Sequence, residues 1–148
     1  MRVPNFELLY ECDITLLEPQ NFGATFEGKR RIFPIAGGQF QGPALQGTVL
    51  SGGVDWNLLR ADEATCVQAD YYLRTHDGVT LRMLNKGVGG DPPVDHPDSG
   101  ERFFMYTTPA IEAPTGKYDW LNRSMLIGTL GARRNVKNAV LVRVFKLV

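Results

Sequence analysis

The sequence predicts an all-β protein, a single closed antiparallel barrel of about eight strands that takes residues 1–148 as one domain. Three observations lead there. Apolar residues recur with period two and almost never with the 3.6-residue period of a helix. The segments that show this are rich in β-branched and aromatic residues. Turn signals separate them at short spacings, and 148 residues suit one domain with a real core.

Taken in order, "FELLYECDITLL" sets Phe6, Leu8, Tyr10, Cys12 and Ile14 on one face and Glu7, Glu11 and Asp13 on the other, with Leu9 the exception. The same alternation recurs in "ATCVQADYYLRT" from Ala64, "GVTLRMLNK" from Gly78 and "RFFMYTTPAIEA" from Arg102. It continues in "YDWLNRSMLIGTL" from Tyr118 and "AVLVRVFKLV" from Ala139. "HDG" at His76 to Gly78 is the best hairpin turn, because Asp-Gly tolerates the positive φ of a tight connection. "VGGDPPVDHPDSG", Val88 to Gly100, is the one long irregular loop. Closure is favoured because it removes unpaired sheet edges, and eight strands enclose just enough room for side chains or one small ligand. A two-sheet sandwich is the nearest alternative.

The glycine-dense stretch "GGQFQGPALQGTVLSGGVDW" (Gly37 to Trp56) has two competing readings. A phosphate loop requires Lys-Ser or Lys-Thr after its last glycine, and a dinucleotide fingerprint requires G-x-G-x-x-G opening a helix. Neither is present, and strand-like "TVL" interrupts the glycines. Glycines inside strands mark bends and close backbone approaches, so these are read as the corners of the barrel.

Composition narrows the function classes. Sixteen basic and sixteen acidic residues cancel, so no nucleic-acid footprint is expected. No apolar run approaches the roughly 20 residues of a membrane span. "MRVPNFELLYECD" lacks a signal-peptide layout, and the two cysteines, Cys12 and Cys66, suit reduced, buried thiols, so a cytoplasmic location is expected. Apolar positions expected at the surface, such as Leu130 and Leu147, make a homo-oligomer, a homodimer in the first instance, reasonable.

"GKRRIFPIAGGQFQGPALQGTVLSGGVDW" from Gly28, "YLRTHDG" from Tyr72 and "KYDWLNRSMLIGTLGAR" from Lys117 together resemble the signature blocks of domain of unknown function 3237. The resemblance covers nearly the whole chain in the same order. It implies a closed antiparallel barrel, calycin- or allene-oxide-cyclase-like in general shape, and implies little about chemistry. The implied pattern carries arginine near Asp70 and Tyr106, where this chain has an acid and a phenol.

Candidate site residues are polar groups where a barrel strand should be apolar. Asp55, beside Trp56 after a glycine pair, is either a general acid or base whose pKa rises by desolvation or an acid satisfied by turn amides. Arg30 and Arg31 point to opposite faces of a strand, so at most one looks inward, where it grips an anion or pairs with Asp55. Tyr71 and Tyr72 divide in the same way, so one of the two lines the interior and which one is left open; Tyr72, on a face with Asp70 and Arg74, is the candidate acid or oxyanion donor. Tyr118, Trp120, Asn122 and Ser124 share a face in "YDWLNRS", a ligand wall in which Asn122 orients the guest. Tyr106 and Glu112 are weaker candidates. The catalytic set is thus Asp55, Tyr72 and Arg31, and the binding set Trp56, Trp120, Asn122, Tyr106 and Arg30.

No metal or cofactor is expected: "DPPVDHPD" offers Asp91, Asp95, His96 and Asp98, but in no calcium or zinc spacing, and His76 sits alone in the hairpin turn. The expected partner is a small molecule. The reading is a cofactor-independent enzyme that binds a small, partly apolar or aromatic molecule and transfers protons in isomerisation, cyclisation, hydration or elimination. The alternatives are a lipocalin-like carrier using the same pocket and a structural protein whose barrel is simply filled.

Overall fold

The computed structural model describes residues 1–89 and 93–148. Among the described residues eleven strands are formed: β1 Phe6–Leu16, β2 Gln20–Thr25, β3 Gly28–Gln41, β4 Gly47–Val49, β5 Val54–Leu59, β6 Thr65–Thr75, β7 Thr80–Gly89, β8 Val94–His96, β9 Glu101–Glu112, β10 Leu126–Arg133 and β11 Ala139–Leu147. One short 3₁₀ helix, Asp119–Arg123, lies between β9 and β10. Among the described residues no helix is long and apolar enough to cross a membrane.

The strands close into an eight-position antiparallel barrel, running β1, β11, β10, β9, β7, β6, then β4 with β5, then β3 and back to β1. β4 and β5 share one position because they fill it in succession. β4 pairs with β3 at Gly38–Phe40, and β5 pairs with it at Lys29–Pro34. β2 continues the line of β1 along the first half of β3. The seam between β1 and β3, Glu11↔Gln41 through Leu16↔Ile35, is drawn so tight that a Cβ at Gly38 would overlap the Asp13 carbonyl. The close approach is possible only because the residue is glycine.

Strand parity then decides what is inside. β6 turns Val67, Ala69, Tyr71 and Leu73 inward, and β7 turns Leu81, Met83 and Asn85 inward. Tyr10, Cys12 and Ile14 of β1 and Val140, Val142 and Val144 of β11 face them across the barrel. One end is packed solid, with Tyr10, Leu73, Leu81, Met83 and Val144 all fully buried. Tyr10 and Phe40 lie with ring centroids 5.1 Å apart there.

That end is plugged by the segment carrying the 3₁₀ helix, which buries Leu121 and Tyr118. The sequence suggested a single strand from Tyr118 to Leu130; the strand begins only at Leu126. Asn122 explains the difference. Its amide behaves like a strand partner for β9: the Ala113 N–H donates to Oδ1 at 2.8 Å, and Nδ2 donates to the Ala113 carbonyl at 2.9 Å. Tyr118 donates to Asp77 at 2.8 Å, tying the plug to the β6–β7 hairpin, and Thr75 Oγ1 donates to the same carboxylate at 2.6 Å.

Replacing Asn122 with Ala strands two backbone groups beside a buried residue, which costs about 1–3 kcal/mol. Urea unfolding should show a lower midpoint with an unchanged slope, and the apolar interior should still form.

Candidate active site

At the other end the barrel is not filled. A cavity of about 50 Å³ remains, enough for a few water molecules or one end of a guest. Ile14, Leu16, Ile35, Val67, Val140 and Val142 form its apolar wall. Three polar side chains enter it: Asp55, Tyr71 and Asn85.

Their meeting follows from register. Asp55 of β5 is directly opposite Ala69 of β6, and Ala69 is directly opposite Asn85 of β7. The acid and the amide therefore flank Ala69 with Cα atoms about 10 Å apart, two strand spacings. Tyr71 is the next inward residue of β6 and is diagonal to both. Because Ala69 is small, the space between the three is left open.

Asp55 has a structural duty as well. β5 and β6 pair at Asp55↔Ala69 and again at Leu58↔Cys66. In the gap between, the Gln68 N–H donates to Asp55 Oδ1 at 3.1 Å. Burial pushes the Asp55 carboxyl up to about 6, against the lowering pull of that N–H and of the Arg31 charge. Arg31 shares the inward face of β3 and stands at the rim. Its Nε donates to Asn57 Oδ1 at 3.2 Å, and its guanidinium lies 5.0 Å from the centre of the Phe33 ring.

Tyr71 and Asn85 are almost fully buried, 1% and 4% exposed, yet the Tyr71 hydroxyl and Asn85 Oδ1 have no hydrogen-bond partner among the described residues. Burial holds the Tyr71 phenol well above its ordinary pKa, which keeps it a neutral donor. Tyr10 Oη and Thr107 Oγ1 are also unpartnered, but neither lines this cavity.

Residues 4–147 match the family described as "Protein of unknown function (DUF3237)". The chain belongs to that family. A UPF0311 protein of Rhodopseudomonas palustris (strain TIE-1) is 29% identical over 135 residues, covering 85% of this chain and 88% of the relative. The crystal structure of a beta-barrel like protein of Acinetobacter baumannii matches with a TM-score of 0.85 at 25% identity, over 100% of this chain and 98% of the other. An enzyme of Penicillium herquei, 22% identical, shares the fold with a TM-score of 0.73 over 98% of this chain and 95% of its own.

In this member of the family the other candidates lie away from the cavity. Tyr72 points outward, where its hydroxyl would meet a Cβ at Gly52; the inward phenol is Tyr71, because odd-numbered residues of β6 face the interior. Trp56 is 41% exposed on the outer wall, edge-on to Phe22 with centroids 6.1 Å apart. Arg30 faces outward too, donating to Glu27 at 2.6 Å and to the Trp56 carbonyl. Tyr106 is 69% exposed on the outside, packed against Phe103.

Trp120 and Asn122 belong to the plug at the opposite end, so the expected ligand wall is not one. Lys146 lies over the Trp120 ring at 5.0 Å. Glu112 is exposed beside Arg82. Leu130, expected at the surface, lines the cavity instead, and Cys66 is on the outer face, only half-buried. Asp95 is held by Arg102 at 2.8 Å, and Asp91 lies outside the described residues.

Asp55 gives a stability signature with a definite sign. Its folded-state pKa, about 6, is above the ordinary 3.8. The associated stability is therefore fully present below 3.8 and is lost as pH rises through about 6. Asp55→Asn removes the penalty, so the variant should be about 2–3 kcal/mol more stable than the parent above pH ~7. Paired denaturation curves should show the difference shrinking toward zero in acid.

Proposed function

We propose that the barrel binds a small, partly apolar organic molecule at the Asp55 end and catalyses proton transfer on it without a cofactor. The observation that carries this reading is Asp55 itself. It is the one acid among the described residues lining the cavity, and its surroundings hold its pKa near neutrality. A group so placed exchanges protons in either direction near pH 7, which suits isomerisation, cyclisation, hydration or elimination. The apolar wall excludes water from the reacting carbon, and Arg31 at the rim favours the negative charge that develops when a proton leaves. The Penicillium herquei structure supports the reading only in that an enzyme shares the fold; the chemistry is argued from the site.

A carrier using the same cavity is the second reading, favoured by the unpartnered Tyr71 and Asn85 atoms, which would hold a guest without reacting with it. The filled-barrel alternative fits the plugged end and not the cavity.

Exchange of solvent deuterium into carbon acids, followed by NMR, separates the two. The parent protein should exchange a C–H proton of its substrate, with kcat/KM rising as pH passes about 6. Asp55→Asn should lose about 10²–10⁴-fold in exchange while ligand affinity holds. Binding with no exchange in the parent leaves a carrier.

A further inference from the structure

Unpartnered polar atoms are rare inside native proteins, a few per hundred residues, and each calls for an explanation. Two of them belong to residues that line this cavity, and they have complementary capacities. The Tyr71 hydroxyl supplies a donor, and Asn85 Oδ1 supplies an acceptor. A ligand oxygen that satisfies both must accept one hydrogen bond and donate another. A carbonyl oxygen accepts but cannot donate. An ammonium can donate to Asn85 Oδ1 and to the Tyr71 oxygen, but it leaves the Tyr71 O–H proton without an acceptor. A phenolate or enolate would be repelled by the amide oxygen. A neutral hydroxyl meets both demands.

We infer that the cavity recognises a neutral enolic or phenolic hydroxyl, which accepts from Tyr71 and donates to Asn85 while the hydrocarbon of the same ring or chain lies over Ala69. This rests on the reading of the cavity as a guest site and names the class of guest. The apolar lining of Val67, Ile35, Val142 and Val140 suits a ring or unsaturated chain and not a sugar. Asp55, on the far side of Ala69 from Asn85, then faces a carbon next to the hydroxyl-bearing one instead of the hydroxyl itself. That carbon is where an enol or phenol is nucleophilic and where protonation changes the tautomer.

Phenol, anisole and toluene are the probes. They share one ring, and only phenol carries both a donor and an acceptor. Isothermal titration or ligand-observed NMR should show phenol bound at least about tenfold more tightly than toluene or anisole. Affinity for phenol should fall when the pH is raised far enough to ionise it. Tyr71→Phe and Asn85→Leu are close in shape to the parent residues and should bring phenol within about twofold of toluene while toluene binding stays unchanged.

Folding is checked in the same samples. Removing an unpartnered buried hydroxyl should leave the Tm of Tyr71→Phe equal to the parent or raise it by about 2–4 °C. Phenol and toluene bound equally, or a preference that survives both substitutions, would overturn the inference and leave the Asp55 reading standing. If no probe binds the parent, or if Ala69→Phe, which fills the gap, leaves probe binding untouched, the cavity is only a water site and both readings fall.

Discussion

Closure of the sheet between β1 and β3 is the constraint from which the rest follows. Once Glu11–Leu16 pairs with the end of β3, each barrel strand gives one face to a shared interior, and a strand's parity cannot slip without moving every side chain to the other wall. The Gly38 approach to the Asp13 carbonyl holds that seam, and the plug at Asp119–Arg123 covers one end. Register across β5, β6 and β7 then places Asp55, Ala69 and Asn85 in one row. The site is a consequence of pairing, not of loops laid over a scaffold.

The two ends differ in how they satisfy folding. At the plugged end large apolar side chains interdigitate, and the polar groups of the plug are bonded, Asn122 to Ala113, and Tyr118 and Thr75 to Asp77, while the Tyr10 hydroxyl is the unpartnered exception. At the cavity end a carboxyl, a phenol and an amide enter an apolar space with few partners of their own. Unsatisfied buried groups cost about 1–3 kcal/mol each, and a filled hydrocarbon core would avoid the penalty. Local rules broken in this way are concentrated at sites that bind or react.

The fold was largely legible because period-two alternation is a property of consecutive residues. The glycines of "GGQFQGPALQGTVLSGG" read correctly as bends, since no helix or lysine followed them. Half the ambiguity within pairs was also soluble. In β6 the row Val67, Ala69, Tyr71, Leu73 is apolar, whereas Cys66, Gln68, Asp70, Tyr72, Arg74 is polar, which marks Tyr71 as the inward phenol. Two aromatic neighbours conceal that signal when they are weighed by chemistry alone. The asparagine singled out in an apparent strand, Asn122, lies in the plug. The same reasoning that selected Asn122 applies to Asn85 in "LRMLNK", and what distinguishes them is tertiary: Asn122 caps β9 backbone, and Asn85 faces a cavity. The 3₁₀ plug was hidden because "YDWLNRS" mimics alternation over too few residues to reveal its period. Asp55 facing Ala69 across a sheet pairing is long-range information that no local pattern contains.

The chemistry of the cavity depends on a carboxyl group, Asp55, held inside the barrel in surroundings that disfavour its charge. Carboxyl ¹³C NMR of the aspartates, with the Asp55 signal assigned by its loss in Asp55→Asn, measures this directly. A titration midpoint near 6 is the predicted result. A midpoint in the ordinary aspartate range, about 3.9, would mean that Asp55 is solvated, and the cavity would lose the group on which its chemistry was built.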